Sequence, residues 1–253
     1  MKDVAGRQIG GKMLEFGFKS DTGKVRSVNQ DACFVMPEER IFLVADGVGG
    51  HNNGELASRT VMADIAGKVK EQPLPADADD AAVREYFERI IGSANAHVYS
   101  MARRNVPGGM ATTLVALFLG NERAHVANVG DSRLYLVRDG SIRQITEDHT
   151  YVNNLIKEGI ITKEQARTHP DKNMITRAMG AEAEVRPDFF DFDIQKDDIL
   201  VLCTDGLYNE VGDQELCEAL VGAKDMRNVC SALVDQANSR GGADNITVVS
   251  VRV

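Results

Sequence analysis

The chain contains 253 residues, enough for one large folded domain, although its length alone would also permit two. Its net charge of −9 at pH 7 argues against non-specific binding to nucleic acid, because that binding requires a basic surface. No apolar run approaches the ~18–20 residues that a membrane helix needs, so we expect no membrane association. Four cysteines without C-x-x-C spacing predict reduced thiols in a cytoplasmic protein: Cys33, Cys203, Cys217 and Cys230.

The amino-terminal residues 1–12 combine three basic side chains with several glycines and lack the apolar centre of a signal peptide. We expect them to form a flexible tail and residues 13–253 to form a single domain. The alternating pattern of Leu14–Phe18 predicts a half-buried strand, and residues 32–36 predict the next one. Polar side chains crowd between these strands, which suits a functional site and a solvated hairpin end equally well: Arg26, Asn29, Gln30 and Asp31.

The stretch Ile41–Gly50 joins an apolar run to one carboxylate and a group of glycines. The apolar run predicts a buried strand, so Asp46 stands where that strand opens into a turn. The glycines leave the backbone free to bend and allow another group to approach it closely. A carboxylate in this position suits a metal or phosphate site, although many Asp-Gly pairs are plain turns.

The remaining elements alternate between helix pairs and blocks of short strands. Apolar residues at helical spacing predict helices over residues 54–70 and 80–104. Short Gly- and Asp-containing turns then indicate an antiparallel meander, and a polar, helix-like insertion follows at 148–180. This order predicts an α+β layered domain. The other predicted strands are 112–119, 124–129, 133–137, 141–145, 190–194, 199–203 and 246–253, and the last helices are 213–221 and 225–237.

Three further aspartates share the position of Asp46 at the edge of a strand. Asp205 ends an apolar run before a glycine, Asp131 lies between two strands, and Asp244 precedes the last strand. Aspartates from distant parts of the chain can converge on one place when their strands share an edge. Carboxylate oxygens are the ligands that Mg²⁺ and Mn²⁺ prefer, so the four residues predict a divalent-cation site.

Six short motifs occur in the order found in the metal-dependent serine/threonine protein phosphatases of type 2C, bacterial branch, which the chain therefore resembles. Each motif alone is weak, but six in order make a chance match very unlikely. The resemblance runs from about Phe16 to the carboxyl terminus. The motifs are residues 21–31, Ala45–His51, Gly109–Thr113, Gly130–Arg133, Thr204–Leu207 and Asp244–Thr247.

The resemblance implies a four-layer α-β-β-α sandwich, with two central antiparallel sheets and a pair of helices outside each. It also implies a two-metal centre at one end of the sandwich and a mobile flap, which matches residues 148–180. The expected cofactors are two divalent cations, Mn²⁺ or Mg²⁺, with a possible third that binds more weakly.

Position by position, the family pattern assigns the metal ligands. Asp46 would bridge both cations, and the carbonyl of Gly47 would bind one of them. Asp205 and Asp244 would hold the other cation. Asp131, with help from Asp205, would serve the third metal.

The same pattern assigns supporting roles. Arg26 would grip the substrate phosphate, because its planar guanidinium matches two phosphate oxygens. Gln30 and Asp31 would orient metal-bound water, and Asn245 would support the centre from beside Asp244. Closely grouped carboxylates repel one another, so they remain ionised only with cations between them.

The histidines leave the general acid unassigned. Eukaryotic relatives have a histidine directly after the Asp-Gly pair, but this chain has Val48. A metal-bound water or His51 could supply the proton, although His51 also suits an ordinary turn. We expect structural roles for His97 and His125. His149 and His169 fall in the flap, where they could contact substrate, but solvated positions on the flap rim fit the sequence better.

Other phosphatase chemistries fit the sequence less well. Asp191 and Asp193 superficially resemble an aspartyl-phosphate nucleophile, but their alternation with apolar residues predicts an exposed strand edge. A cysteine nucleophile needs a phosphate loop with a nearby arginine, which neither Cys33 nor Cys203 has. Nucleotide binding through residues 47–50 lacks the Gly-Lys-Ser/Thr ending. The acidic balance disfavours a two-metal nuclease or phosphodiesterase.

The sequence therefore favours an enzyme that hydrolyses phosphoserine and phosphothreonine in proteins, through metal-activated water and without a phosphoenzyme. A regulatory module that keeps the fold without turnover is the alternative, but Arg26, Asp46, Asp205 and Asp244 are all present. We expect a cytoplasmic monomer whose partners are phosphorylated proteins, including a cognate serine/threonine kinase. We expect no nucleic-acid partner.

Overall fold

The computed structural model of the protein describes residues 7–9, 12–50, 53–75, 77–105 and 109–253. Two antiparallel sheets lie face to face in these ranges, and helices cover the outer face of each sheet. The predicted four-layer α-β-β-α arrangement is therefore confirmed. Within the described ranges, no helix is both long enough and apolar enough to cross a membrane.

The first sheet has the strand order β1-β2-β12-β11-β8-β9, and the second has the order β10-β7-β6-β4-β3 with the short β5 paired to β4. Every strand pair is antiparallel. The strands are β1 (Arg7–Ile9), β2 (Lys12–Asp21), β3 (Asp31–Met36), β4 (Ile41–Val48), β5 (Ala111–Thr112), β6 (Leu114–Leu119), β7 (Arg123–Val129), β8 (Arg133–Arg138), β9 (Ser141–Gln144), β10 (Asp188–Asp193), β11 (Ile199–Cys203) and β12 (Ile246–Arg252).

The helices form three groups. Two long helices cover the second sheet, two short ones lie in the flap, and three cover the first sheet. They are α1 (Asn53–Glu71), α2 (Asp80–Asn105), α3 (Tyr151–Lys157), α4 (Lys163–Arg167), α5 (Asp205–Tyr208), α6 (Asp213–Val221) and α7 (Met226–Ser239).

The apolar run of β4 is continuous because both of its faces are buried. Leu43 packs toward α1 and α2, whereas Phe42 and Val44 face the core between the sheets. Successive side chains of a strand point to opposite faces, so a strand in the middle of four layers needs apolar residues at every position. This burial fixes β4 as the strand that delivers Asp46 to one end of the sandwich.

The predicted tail is only partly described. Arg7–Ile9 pairs with β2 and so joins the first sheet, which differs from the flexible state expected for residues 1–12. The remaining tail positions 1–6, 10 and 11 lie outside the described residues, as does His51.

The flap segment 148–180 is tied to the sandwich at both ends. At its start the N–H of His149 donates to the carbonyl of Gly130 at 3.0 Å, and at its end an isolated bridge pairs Met179 with Thr112 of β5. A second bridge, between Thr150 and Ile175, joins the two ends of the flap to each other. Two threonines cap its helices: Thr150 accepts the N–H of Asn153, and Thr162 forms a capping box with Gln165. The flap is therefore a folded insertion on the rim of the sandwich, and its mobility stays a prediction.

Candidate active site

One end of the sandwich carries a cavity of about 430 Å³ that brings together all four predicted metal-binding aspartates. The strands explain the convergence. Asp46 lies near the end of β4, Asp205 follows β11, Asp244 precedes β12, and Asp131 connects β7 to β8. The other residues that line the cavity are Arg26, Gln30, Gly47, Val48, Gly49, Asn173, Ile175 and Asn245.

Arg26 lies at the mouth of the cavity and contacts one of the aspartates. Its Nη2 donates a hydrogen bond to Oδ2 of Asp244 over 2.7 Å. Half of the Arg26 side chain is exposed, at 51%. A guanidinium in this position can reach an incoming anion and the acidic cavity together.

Asn245 holds the loop that carries Arg26. Its Oδ1 accepts the backbone N–H of Gln30 at 2.8 Å, and its Nδ2 donates to the carbonyls of Thr22 and Val28, both at 2.9 Å. Three hydrogen bonds from one buried amide anchor this turn, together with the backbone bonds of Lys24 and Val25 to the carbonyl of Gly242. Asn245 therefore acts on the site by holding the loop that carries Arg26.

Asp31 lies behind the cavity, opposite Asp46 in the pairing of β3 with β4. It is only 5% exposed, and its Oδ2 accepts a hydrogen bond from Thr204 Oγ1 at 2.9 Å. Its Oδ1 is buried and has no hydrogen-bond partner among the described residues, and the same holds for Oδ1 of Asp205. Buried carboxylate oxygens without a donor are the feature that a cation or its water ligands would satisfy.

The carboxylates of the site have strongly perturbed proton affinities. Burial, reinforced by the neighbouring negative charges, raises the pKa of Asp31 and of Asp131 to about 7. The same causes raise the pKa of Asp205 to about 6 and that of Asp46 well above its usual value. The group is therefore unfavourable in its fully ionised form unless positive charge lies among its members.

The donor set fits hard divalent cations. In the described part of the chain, no three His, Cys, Asp or Glu side chains are already drawn together closely enough to hold an ion. The aspartates instead surround an open polar cavity, which leaves room for water between carboxylate and cation. Mg²⁺ typically keeps several waters and uses few carboxylates, so a polar cavity lined by several aspartates suits a hydrated ion.

A stability measurement can test this electrostatic reasoning. In metal-free protein, we expect the free energy of unfolding to fall by about 6 kcal/mol as the pH rises from 5 to 7.5. Asp31, Asp131 and Asp205 hold protons in the folded state at pH values where the unfolded chain has lost them. Their contribution to the free energy of unfolding is therefore complete below pH ~4, and it is lost as the pH rises through their pKa values in the folded state. Urea titrations in the presence of a chelator, at several pH values, measure this free energy of unfolding.

The Asp131→Asn variant is the matched control for that titration. It removes one carboxyl group with a raised pKa and keeps the side-chain shape, so its stability should depend less steeply on pH. Added Mn²⁺ should reverse the loss at pH 7.5 in the wild type. Identical slopes for the two proteins would show that Asp131 does not titrate as the structure implies.

Residues 23–246 of the chain match the Protein phosphatase 2C family. The chain belongs to the protein phosphatase 2C family. The serine/threonine phosphatase stp of Listeria innocua is 37% identical over 238 residues, which cover 92% of this chain and 94% of that protein. These similarities show a serine/threonine phosphatase that dephosphorylates proteins in a metal-dependent reaction, and they confirm the predicted family.

Solved structures support the same fold. The structure of Stp1 from Staphylococcus aureus is 34% identical to this phosphatase, with a TM-score of 0.88 and 99% of each chain covered. The catalytic domain of PstP in complex with two manganese ions is 32% identical, with a TM-score of 0.82, and covers 94% of this chain and 97% of that one.

The histidines of the phosphatase divide into two groups. His125 is buried in β7 and bonds through Nδ1 to Asp191 at 2.9 Å, so its predicted structural role is confirmed. The solvated position predicted for His149 is wrong, because this residue is 6% exposed. Its Nδ1 accepts the N–H of Gly130 at 3.0 Å, which leaves Nε2 as the N–H that donates to Asp188. Burial lowers the pKa of His149, so the ring is a neutral link between the flap and the loop of Asp131.

Val48 has 45% of its surface exposed and lines the cavity of the phosphatase. An isopropyl group cannot transfer a proton, so the position after Asp46-Gly47 supplies no general acid here. The predicted strand edge at Asp191 and Asp193 is confirmed, because β10 is the last strand of its sheet. The predicted exposure holds for Asp193, whose side chain is 80% exposed, but not for Asp191, which is 19% exposed and bonds to His125.

Two supporting residues escaped the sequence analysis. Tyr208 donates its hydroxyl proton to the backbone carbonyl of Asp131 at 3.0 Å. The guanidinium of Arg133 lies 3.6 Å from the centre of the Tyr208 ring and pairs with Asp148 at 2.6 Å. No spacing pattern reveals such contacts, since they join three separate parts of the chain.

Proposed function

We propose that this phosphatase hydrolyses phosphoserine and phosphothreonine in proteins by direct attack of water, with two divalent cations, Mn²⁺ or Mg²⁺, at the aspartate cavity. Asp46, the Gly47 carbonyl, Asp205 and Asp244 would hold these cations. The observation that carries the proposal is the convergence of four aspartates from four separate connections, together with Arg26, on one cavity. When bound, two such cations supply an activated water at neutral pH and neutralise charge during in-line displacement.

The chain's own residues would bind the phosphate and place the water. Arg26 would bind two phosphate oxygens with its planar guanidinium, and Asn245 would keep the Arg26 loop in place. Gln30 and Asp31 would accept or donate the hydrogen bonds that orient the attacking water. Asp131 would serve a third, weaker cation.

Direct attack by water also fits the composition of the cavity wall. Among the described residues that line it, none is a cysteine, histidine or serine. Cys203 is fully buried in β11, and burial raises the pKa of its thiol to about 12. A thiol in that state is a poor nucleophile, so these groups do not favour a covalent intermediate.

The test of the proposed function is a panel of phosphoserine, phosphothreonine and phosphotyrosine peptides assayed with Mn²⁺, with Mg²⁺ and with chelator. We expect hydrolysis of the first two peptides with metal, little hydrolysis of the third, and none with chelator. Full activity of a metal-free preparation would defeat the mechanism. Absence of turnover on every substrate with either metal would favour a regulatory module instead.

Replacement of Arg26 by alanine is expected mainly to raise KM for p-nitrophenyl phosphate, by about tenfold, because the variant loses a ground-state contact to the phosphate. Arg26→Lys is the matched control, since it keeps the charge and loses the planar pair of donors. We expect a smaller rise in KM for the lysine variant. A change in kcat alone would show that Arg26 does not bind the substrate phosphate.

The proposal extends to where the phosphatase acts and which enzyme it opposes. We expect the enzyme to act in the cytoplasm as a monomer and to oppose a serine/threonine kinase. Incubation with a purified autophosphorylated serine/threonine kinase of the same cell, followed by phosphopeptide mass spectrometry, tests the last point. Retention of every phosphate on the kinase in the presence of Mn²⁺ would argue against it.

A further inference from the structure

We infer that the hydroxyl of Thr113 is a positioning group that fixes the backbone of Asp46 and the loop of Asp131 relative to each other. This inference rests on the proposed function, because it concerns how the cavity holds its cations. Thr113 does not line the cavity, and its side chain is fully buried behind Asp46.

In the pairing of β4 with β5 and β6, a side-chain hydroxyl replaces one of the main-chain hydrogen-bond acceptors. The pairs Val44–Val115 and Gly47–Thr112 share one antiparallel register, and that register places Asp46 opposite Thr113. The N–H of Thr113 donates to the carbonyl of Asp46 at 2.8 Å, as the ladder requires. The N–H of Asp46, however, donates to Oγ1 of Thr113, also at 2.8 Å. A side-chain hydroxyl thus takes the place of a main-chain carbonyl at the residue that would bridge the cations.

Thr112 completes the arrangement. Its Oγ1 lies 2.8 Å from the carbonyl of Asp46 and 3.1 Å from the carbonyl of Thr113 that the ladder has released. Both backbone polar groups of Asp46 are therefore held by this pair of threonines. The carboxylate of Asp46 has only two side-chain torsions beyond its backbone, so the position of the backbone largely determines where its oxygens lie.

The second observation connects Thr113 to the other side of the cavity. Its Oγ1 lies 2.7 Å from Oγ of Ser132, and both side chains are buried. Gly130 adopts a φ of +105°, and a Cβ at that residue would lie 2.6 Å from Cγ2 of Thr113. The turn that carries Asp131 therefore packs directly on Thr113 and bonds to its hydroxyl.

These contacts predict different consequences for two similar substitutions. Thr113→Val keeps the shape but leaves the N–H of Asp46 without its acceptor, unless the strands shift to restore the carbonyl. Either outcome displaces the carboxylate of Asp46 or loosens the Asp131 turn. Thr113→Ser keeps the hydroxyl and removes only a methyl group. The hydroxyl, and not the bulk of the side chain, should therefore determine the affinity for cations.

Calorimetric titration of Mn²⁺ into metal-free protein, without substrate, tests the inference directly. We expect Thr113→Val to weaken Mn²⁺ binding at least tenfold, Thr113→Ser to stay within about twofold of the wild type, and Ser132→Ala to fall between them. Near-UV circular dichroism and thermal unfolding establish that each variant is folded. If Thr113→Val does not fold, Ser132→Ala alone provides the comparison with the wild type.

Two results would overturn the inference. One is wild-type Mn²⁺ affinity in folded Thr113→Val, or in Ser132→Ala where the valine variant does not fold. The other is an equal loss in Thr113→Ser and Thr113→Val, which would assign the effect to packing. A wild-type protein that binds no Mn²⁺ at all would instead defeat the proposed function, and the inference with it.

Discussion

The Asp46→Asn variant is expected to lose Mn²⁺-dependent hydrolysis of p-nitrophenyl phosphate by at least about a thousandfold, equivalent to ~4 kcal/mol of transition-state stabilisation. Asp46 lies at the electrostatic centre of the site: burial raises the pKa of its carboxyl group most, and the four neighbouring aspartates all raise it further, namely Asp31, Asp205, Asp131 and Asp244. Asparagine keeps the shape but removes the negative charge that would attract both cations. Steady-state rates over a range of Mn²⁺ concentrations measure the loss.

The same substitution has an opposite expected effect on the metal-free protein. Asparagine removes a buried carboxyl group that can ionise only against the negative charges around it, and this should stabilise the fold. Inactivity accompanied by a higher melting temperature would therefore exclude unfolding as the cause. Asp193→Asn is the matched control, because Asp193 lies at the exposed sheet edge with 80% of its side chain accessible. We expect wild-type activity from that control. Retention of activity by Asp46→Asn would remove this aspartate from the mechanism.

Buried strands and amphipathic helices were the most predictable parts of the fold. Ile199–Cys203 and Asp213–Val221 have the predicted bounds, and the predicted 41–50 stretch contains β4. A strand buried on both faces produces an unbroken apolar run, and an amphipathic helix produces a stripe with a period near 3.6 residues. Both signals are local, so a single sequence suffices to find them.

The convergence of the aspartates depends on non-local pairing. β12 lies between β2 and β11, although its residues are 225 to 237 positions away from their partners in β2. Nothing in local composition determines that neighbour, since the choice depends on how all the apolar faces pack together. The residues alone made convergence of the four aspartates possible but did not require it. The resemblance to a family through six motifs in the same order turned it into a specific expectation.

Contacts between polar side chains and distant backbone groups were not predictable. The hydroxyl of Thr113 accepts an N–H from a residue 67 positions away, and Tyr208 bonds to a carbonyl 77 positions away. Such bonds leave no periodic trace in the sequence. His149 shows the converse: a polar surrounding sequence predicted exposure, but hydrogen bonds to Gly130 and Asp188 satisfy both ring nitrogens and make burial possible.

The Gly206→Ala variant is expected to destabilise the fold by about 3 kcal/mol or more, because a core so tightly packed cannot absorb the added methyl group. A Cβ at Gly206 would lie 2.0 Å from the carbonyl oxygen of Asn245, which is backbone and cannot rotate away. The strain would push α5 from the start of β12. Asp205 would then move away from Asp244, so Mn²⁺ binding should weaken together with stability.

Thermal and urea unfolding measure this effect, and the expected fall in melting temperature is roughly 6–12 °C for a chain of this size. Gly67→Ala is the matched control, because Gly67 lies in the exposed part of α1 and a Cβ there would meet no atom within 4 Å. That control should be more stable than the wild type by about 0.5–1 kcal/mol, since alanine favours helix. A melting temperature for Gly206→Ala equal to that of the wild type would show that α5 and β12 can separate at little cost. The close approach of their backbones would then not be what sets the distance between Asp205 and Asp244.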